Sequence, residues 1–285
     1  MEIVMNHFSD LHFDSNTNLK KLEKLKDKLL ISSPRYIFFT GDLLNSNTEQ
    51  ANKKIDYLLK WLEELSSNSK LFVMKGNHDI MSRNASNDGW ESDFDPALWN
   101  EISSMRNVYY LENSTYSDDV IFVSGIDLPF EYYENYSKKE DASILNKTLD
   151  INKSLLSKLP DSKLKICMCH PPRFLTTINS LEYLKEFDLI LSGHEHNGMV
   201  PRFLDKSFKG TKGLINTSRE LFPDNVRGIK KVLYEDHLIT HIINGGISKI
   251  PKESKLGMFS FLYPMEFQTI KYDEQNKHIM IKKMY

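Results

Sequence analysis

Leu71-Phe72-Val73-Met74-Lys75-Gly76-Asn77-His78-Asp79 is a short apolar run that ends in glycine, amide, imidazole and carboxylate. Four apolar residues stopped by Gly-Asn read as a buried strand and its turn. The side chains just past the strand are of the types that ligate ions or move protons. The same order recurs along the chain. Ile3–Phe8 leads into Asp10-Leu11-His12, and Tyr36–Thr40 into Gly41-Asp42. Leu164–Cys169 leads into His170-Pro171-Pro172, and Leu189–Leu191 into Gly193-His194-Glu195-His196. In open α/β sheets the carboxyl ends of strands converge on a crevice, so residues far apart in sequence can meet there. Glycine precedes three of these motifs, where an unusual φ is expected.

Helical signals separate the strands. Leu19, Leu22, Leu25, Leu29 and Leu30 recur at helical spacing up to Ser33-Pro34. Ser46 and Glu49 form a capping box before Ile55, Leu58, Leu59, Leu62 and Leu65. Further helices are expected at about 141–159 and 181–187. The alternation gives an α/β fold. Residues 80–106 break the rhythm with a polar stretch carrying Trp90, Phe94 and Trp99, and Phe130 to Tyr136 is an aromatic segment. Both read as a cap or insert beside a site, around 80–106 and 130–145. The last third reads as short strands at 214–216, 229–234, 238–243, 258–262, 267–272 and 278–282, a meander closing a sheet. No repeat or linker divides the chain, so residues 1–285 are expected to form one domain.

Lys and Arg number 37 against 39 Asp and Glu, a balance that gives no strong field for nucleic acid or an anionic membrane. No apolar run nears the roughly 20 residues that span a bilayer, and Met1–Phe8 already reads as a strand rather than a cleavable signal. Cys167 and Cys169, two apart on a strand, share a face and are expected to be buried, unbridged thiols. A cytoplasmic protein is the expectation; the sequence sets no oligomeric state.

Imidazole and carboxylate donors suit Zn, Mn, Fe or Ni better than a thiolate-loving ion. A pair of ions needs a bridge, and a carboxylate is a natural one. Two aspartates against two divalent ions leave an excess of about +2, enough to acidify a bridging water and attract phosphate. Asn77 adds an oxygen without adding charge. Each motif alone has an ordinary explanation, since Gly-Asp and Gly-Asn-x-Asp are good turns. All five in order, each after a strand, do not.

With those residues in place, the chain resembles the calcineurin-like metallophosphoesterase superfamily, in motif order from residue 10 to residue 196. The resemblance implies two mixed β-sheets packed as a sandwich flanked by helices, with two divalent ions, manganese favoured, at the strand ends. It implies that Asp10, His12, Asp42 and His196 hold one ion. Asp42, Asn77, His170 and His194 would hold the other, with Asp42 bridging. His78 would be the general acid, oriented by Asp79, and a metal-bridging hydroxide would attack phosphorus in line. Asn244-Gly245-Gly246-Ile247 and Tyr263-Pro264-Met265-Glu266 are similar to the family's Gly-rich turn and final strand. Residues 80–160 match least. Asn45 is a departure, because many relatives carry Asp there; it reads as a change beside the ligands.

Phosphoprotein phosphatases of the superfamily carry arginine after the second motif. Gly41-Asp42-Leu43-Leu44-Asn45-Ser46-Asn47 has none. Gly193-His194-Glu195-His196-Asn197-Gly198 and Phe222-Pro223 with Arg227-Gly228 look more like the bacterial phosphodiesterase branch, whose substrates include lipid-linked and nucleotide pyrophosphates. Arg83, Arg173 and Arg219 are candidate phosphate contacts through the guanidinium fork. Trp90, Phe94, Trp99 and the 130–136 segment could line an apolar groove or simply pack. A phosphomonoesterase and a non-catalytic scaffold on the same fold are the alternatives.

Overall fold

Along Tyr36–Thr40 successive side chains enter different cores. Tyr36 and Phe38 join one buried cluster, and Ile37 and Phe39 join another. Every residue of this strand is buried, as expected for a strand covered on both faces. The computed structural model describes residues 1–45, 54–83, 90–134, 142–156, 163–172, 183–217, 219–247 and 265–284.

In chain order the strands are Glu2–Phe8 (β1), Tyr36–Thr40 (β2), Lys70–Met74 (β3), Met81–Arg83 (β4), Trp90–Ser92 (β5), Val108–Tyr110 (β6) and Ser114–Ser117 (β7). Then follow Ile121–Ile126 (β8), Leu164–Cys169 (β9), Leu189–Ser192 (β10), Gly228–Tyr234 (β11), His237–Ile243 (β12), Phe267–Asp273 (β13) and His278–Met284 (β14). The α-helices are Leu19–Leu30 (α1), Ile55–Ser66 (α2), Pro96–Ser104 (α3), Phe130–Glu134 (α4) and Ala142–Leu156 (α5).

One six-stranded sheet runs β14-β13-β1-β2-β3-β6, and a second runs β11-β12-β10-β9-β8-β7. The first is parallel from β1 through β6 and antiparallel at β13 and β14. The second is parallel from β8 through β12 and antiparallel at both edges. Met5, Phe38 and Phe72 of the first sheet share a core with Val123, Ile166, Leu191 and Ile242 of the second. Outside the first sheet, Phe8, Ile37 and Val73 pack with Leu25 of α1 and Trp61 of α2. Outside the second, Cys167, Cys169 and Ile190 pack with Tyr133 of α4 and Leu149 of α5. The protein is thus the expected sandwich of two mixed sheets flanked by helices. Cys167 and Cys169 are free, buried and on one face. No helix among the described residues is long and apolar enough to cross a membrane.

Helix α1 follows its amphipathic reading. Leu22, Leu25 and Leu29 are its buried residues, and the Asn18 side chain accepts from Lys21 N at its start. Three expectations change. The C-terminal strands do not make one meander: the β11–β12 hairpin joins the second sheet and the β13–β14 hairpin the first. Each hairpin finds its partner in a distant strand, a choice that local patterning does not encode. Residues 214–216 form a single bridge, Ile215 with Leu221, rather than a strand. Within the 80–106 stretch, the described residues include β4, β5 and α3. Asp95 caps α3 by accepting from Ala97 N and Leu98 N at 3.0 and 3.2 Å, with Pro96 at the first turn. That helix buries Trp99 in the first sheet's outer core, so Trp99 lines no groove. The Ser46–Glu49 capping box, the strand at 258–262, Leu181 and Tyr263-Pro264 lie outside the described residues.

Candidate metal centre

The parallel strands β1, β2 and β3 of one sheet and β9 and β10 of the other deliver their carboxyl ends to the same edge of the sandwich. Backbone bonds tie the loops that follow: Asp10 N to Gly41 O at 2.9 Å, His12 N to Asp42 O at 3.0 Å and Gly193 N to His170 O at 2.9 Å. The three glycines have different reasons to be there. Gly41 adopts φ +93, a conformation that only glycine takes without strain. Gly76 is extended, and Gly193 has no positive φ among those observed. These two are needed for close approach, because a Cβ on Gly76 would overlap the Asp42 side chain and one on Gly193 the Ser9 side chain. The left-handed conformations fall on the polar residues themselves: Asp10 (φ 53), His12 (φ 47), Asp42 (φ 57), His194 (φ 72) and His196 (φ 45). Such residues cost of order 1–3 kcal/mol each and concentrate at functional sites.

All seven expected ligands come together. Asp10, His12 and His196 offer donor atoms within 4.8 Å of one another, as do Asp42, His170 and His194. Asp42 lies between the halves, with Oδ2 at 3.5 Å from His12 Nε2 and 3.3 Å from His170 Nε2. Asp10 Oδ1 is 3.8 Å from His196 Nε2, and the His12 and His196 rings stack at 5.1 Å. In the other half Asn77 Oδ1 is 2.9 Å from His194 Nδ1 and 3.3 Å from His170 Nε2. His170 Nδ1 donates to the Thr40 carbonyl at 2.6 Å.

This donor set suits divalent ions on two grounds. His170 Nε2 and His194 Nδ1 approach to 3.2 Å beside Asn77 Oδ1, so three atoms of ligating type converge on one point. Among the described residues, His12 Nε2 is buried without a hydrogen-bond partner while facing Asp10 and Asp42. The composition, carboxylate and amide oxygen with imidazole, fits Mn, Fe, Zn or Ni. The electrostatics are strongly coupled. Burial alone would raise Asp42, but His170, His78 and His12 hold its carboxyl well below the usual range. Burial lowers the His170 imidazole, and Asp42 more than reverses this, taking it to about 9. Burial, reinforced by neighbouring imidazoles, pushes His12 and His194 well down. Burial raises Asp10, against the opposing pull of His196 and His170.

His78 stands at the rim, half-buried, its ring 4.6 Å from that of His12. Its Nδ1 lies 2.9 Å from the Asn45 carbonyl, so the backbone of the departing position steadies this ring. Asp79, expected to orient His78, accepts from three backbone N–H groups: Gly76 at 2.8 Å, Leu44 at 2.9 Å and Leu43 at 3.2 Å. It knits the second and third motifs together. Burial, with Asp42 beside it, raises its carboxyl to about 7.

Of the candidate phosphate contacts, Arg219 is exposed in a left-handed turn (φ 63). Arg173 and the side chain of Arg83 lie outside the described residues. Phe94 packs under the Lys75 ammonium at 4.5 Å. Tyr133, within the aromatic segment, sits with its ring 6.3 Å from that of His170 and 6.1 Å from that of His194. Sequence reasoning missed Thr217, whose hydroxyl is 3.3 Å from His194 Nε2; it follows no strand and carries no motif.

The profile of the calcineurin-like phosphoesterases matches residues 5–198. An uncharacterized metallophosphoesterase of Aquifex aeolicus is 25% identical over 200 residues, which cover 70% of this chain and 65% of that protein. Another from Campylobacter jejuni is 26% identical over 209 residues, covering 72% and 46%. The chain thus spans less than two thirds of the length of these relatives. One solved crystal structure superposes with a TM-score of 0.50 at 13% identity, covering 100% of both chains, a likeness of fold alone.

Proposed function

This chain belongs to the calcineurin-like phosphoesterase family, and on that premise we propose that it hydrolyses phosphodiester or pyrophosphate bonds. Asp10, His12, Asp42 and His196 would hold one divalent ion, and Asp42, Asn77, His170 and His194 the other. The observation that carries the reading is the convergence of two donor groups on the shared, buried Asp42 carboxylate. Two divalent ions, manganese by preference, would supply an acidified water and positive charge to match the charge that develops on phosphorus.

The chain's own residues do the rest. Left-handed turns at Asp10, His12, Asp42, His194 and His196 fix the backbone that presents the donor atoms, which is the preorganisation that electrostatic catalysis requires. His78, with Nδ1 2.9 Å from the Asn45 carbonyl, would give a proton or hydrogen bond to the leaving oxygen. Tyr133 walls the His170 and His194 rings and helps exclude bulk water. The absence of arginine in residues 41–47 favours a diester or pyrophosphate over a phosphoprotein. The paired buried thiols suit a reducing compartment, so we place the protein in the cytoplasm.

The test is hydrolysis of an aryl phosphodiester and an aryl phosphomonoester after chelation and re-addition of Mn. The proposal expects the diester to be preferred and its cleavage to return with metal. A preference for the monoester would make the protein a phosphomonoesterase. No turnover of either compound, with ions bound, would favour a scaffold.

A further inference from the structure

Two histidines of one half-site present opposite nitrogens to the same point: His170 its Nε2 and His194 its Nδ1. A neutral imidazole carries one N–H, and the partner of the remote nitrogen decides which one. For His170 that partner is the Thr40 carbonyl. For His194 the remote Nε2 is 3.3 Å from Thr217 Oγ1. Thr217 Oγ1 is in turn 3.3 Å from Glu195 Oε2, and Thr217 N donates to the same oxygen at 3.2 Å.

We propose that Thr217 and Glu195 are positioning residues that hold His194 in its Nε2–H tautomer, leaving the Nδ1 lone pair to the ion. The inference rests on the two-ion reading above. With the Nδ1 lone pair given to the ion, His194 Nε2–H would donate to the Thr217 hydroxyl, and the hydroxyl would donate its single hydrogen to Glu195 Oε2. Glu195 is 0% exposed, so its carboxylate has a strong need for these bonds. Thr217 lies exposed at the rim, on a segment folded back over the site. Leu214 N and Ile215 N bond the Gly198 carbonyl at 2.8 and 3.1 Å, and the Ile215–Leu221 bridge closes the turn. The residue between the two histidines of the Gly-His-x-His motif thus anchors a loop that returns to orient the first of them.

Thr217→Val keeps the shape and removes the hydroxyl; Thr217→Ser keeps the hydroxyl. Mn titration by calorimetry should show one of two ion positions weakened about 10–100-fold in Thr217→Val, with the other unchanged and Thr217→Ser close to wild type. Glu195→Gln should weaken the same position. Long-range 1H–15N spectra of the metal-free protein should show the Nε2–H tautomer at His194 in wild type and its loss in Thr217→Val, at unchanged melting temperature. Wild type that binds two ions, alongside Thr217→Val of equal affinity or an Nδ1–H tautomer in wild type, would overturn the relay alone. Wild type that binds no divalent ion would overturn the two-ion reading and the relay with it.

Discussion

The backbone N–H of His78 donates to Asp42 Oδ1 at 2.8 Å, which leaves Oδ2 to face His12 and His170. The orientation of the shared carboxylate therefore depends on the main chain at residue 78. His78→Ala should keep both ions while kcat falls about 10²–10⁴-fold, the range for a lost general acid. Metal content and kcat measured on the same preparation check this. Loss of ions in His78→Ala would show that the imidazole is itself a ligand.

Gly193 is where the two sheets touch through the site. An added Cβ would lie 2.7 Å from Ser9 Cβ and 2.5 Å from Asp10 Oδ2. Gly193→Ala should cost about 1–3 kcal/mol, as overpacking does, and should disturb Asp10 more than His170. Denaturant melts with metal titration test it. A variant as stable as wild type with unaltered ion affinity would contradict the close approach.

Two buried histidines away from the donor atoms make stability depend on pH. His7 Nε2 pairs with Thr40 Oγ1 at 2.9 Å, and His241 Nε2 with Ser192 Oγ at 3.0 Å. Burial lowers both to about 3, and His241 adds to the effect on His7. A histidine with a depressed folded pKa is neutral when folded and takes up a proton on unfolding below about pH 6.5. Stability should therefore be full above that pH and fall as pH drops toward 3, by up to about 1.4 kcal/mol per pH unit for each histidine. Urea melts from pH 7.5 to 4.5 should show this slope, reduced by about one proton in His241→Gln. An unchanged slope would mean that His241 is charged in the folded chain.

Trp99 belongs to the core and not to a substrate groove. Trp99→Ala should cost about 3–5 kcal/mol and leave KM unchanged below the melting temperature. A raised KM at full folding would return Trp99 to the site.

The strand ends, and the polar residues brought together just past them, were legible because short apolar runs stop at polar residues that no core would choose. Asp10, His12, Asp42, His194 and His196 adopt left-handed turns that their neighbours alone do not announce; the repetition of the motif does. Three features were hidden for one reason, distance along the chain. The pairing of Glu2 with Asp273, which sends β13 to the first sheet, spans nearly the whole sequence. Asp79 reaches back to Leu43 and Leu44, a contact that its neighbours in sequence do not suggest. Thr217 meets His194 through a loop without periodicity. Trp99 was left between groove and core because a polar surround concealed the short helix, capped by Asp95, that turns it inward.

The central claim is two ions on one shared carboxylate, and metal content tests it most directly. Wild type reconstituted with excess Mn and freed of unbound metal should hold two ions per chain, and Asp42→Asn should lose tight binding at both positions while remaining folded. A single ion in wild type, or two ions retained in Asp42→Asn, would contradict the account.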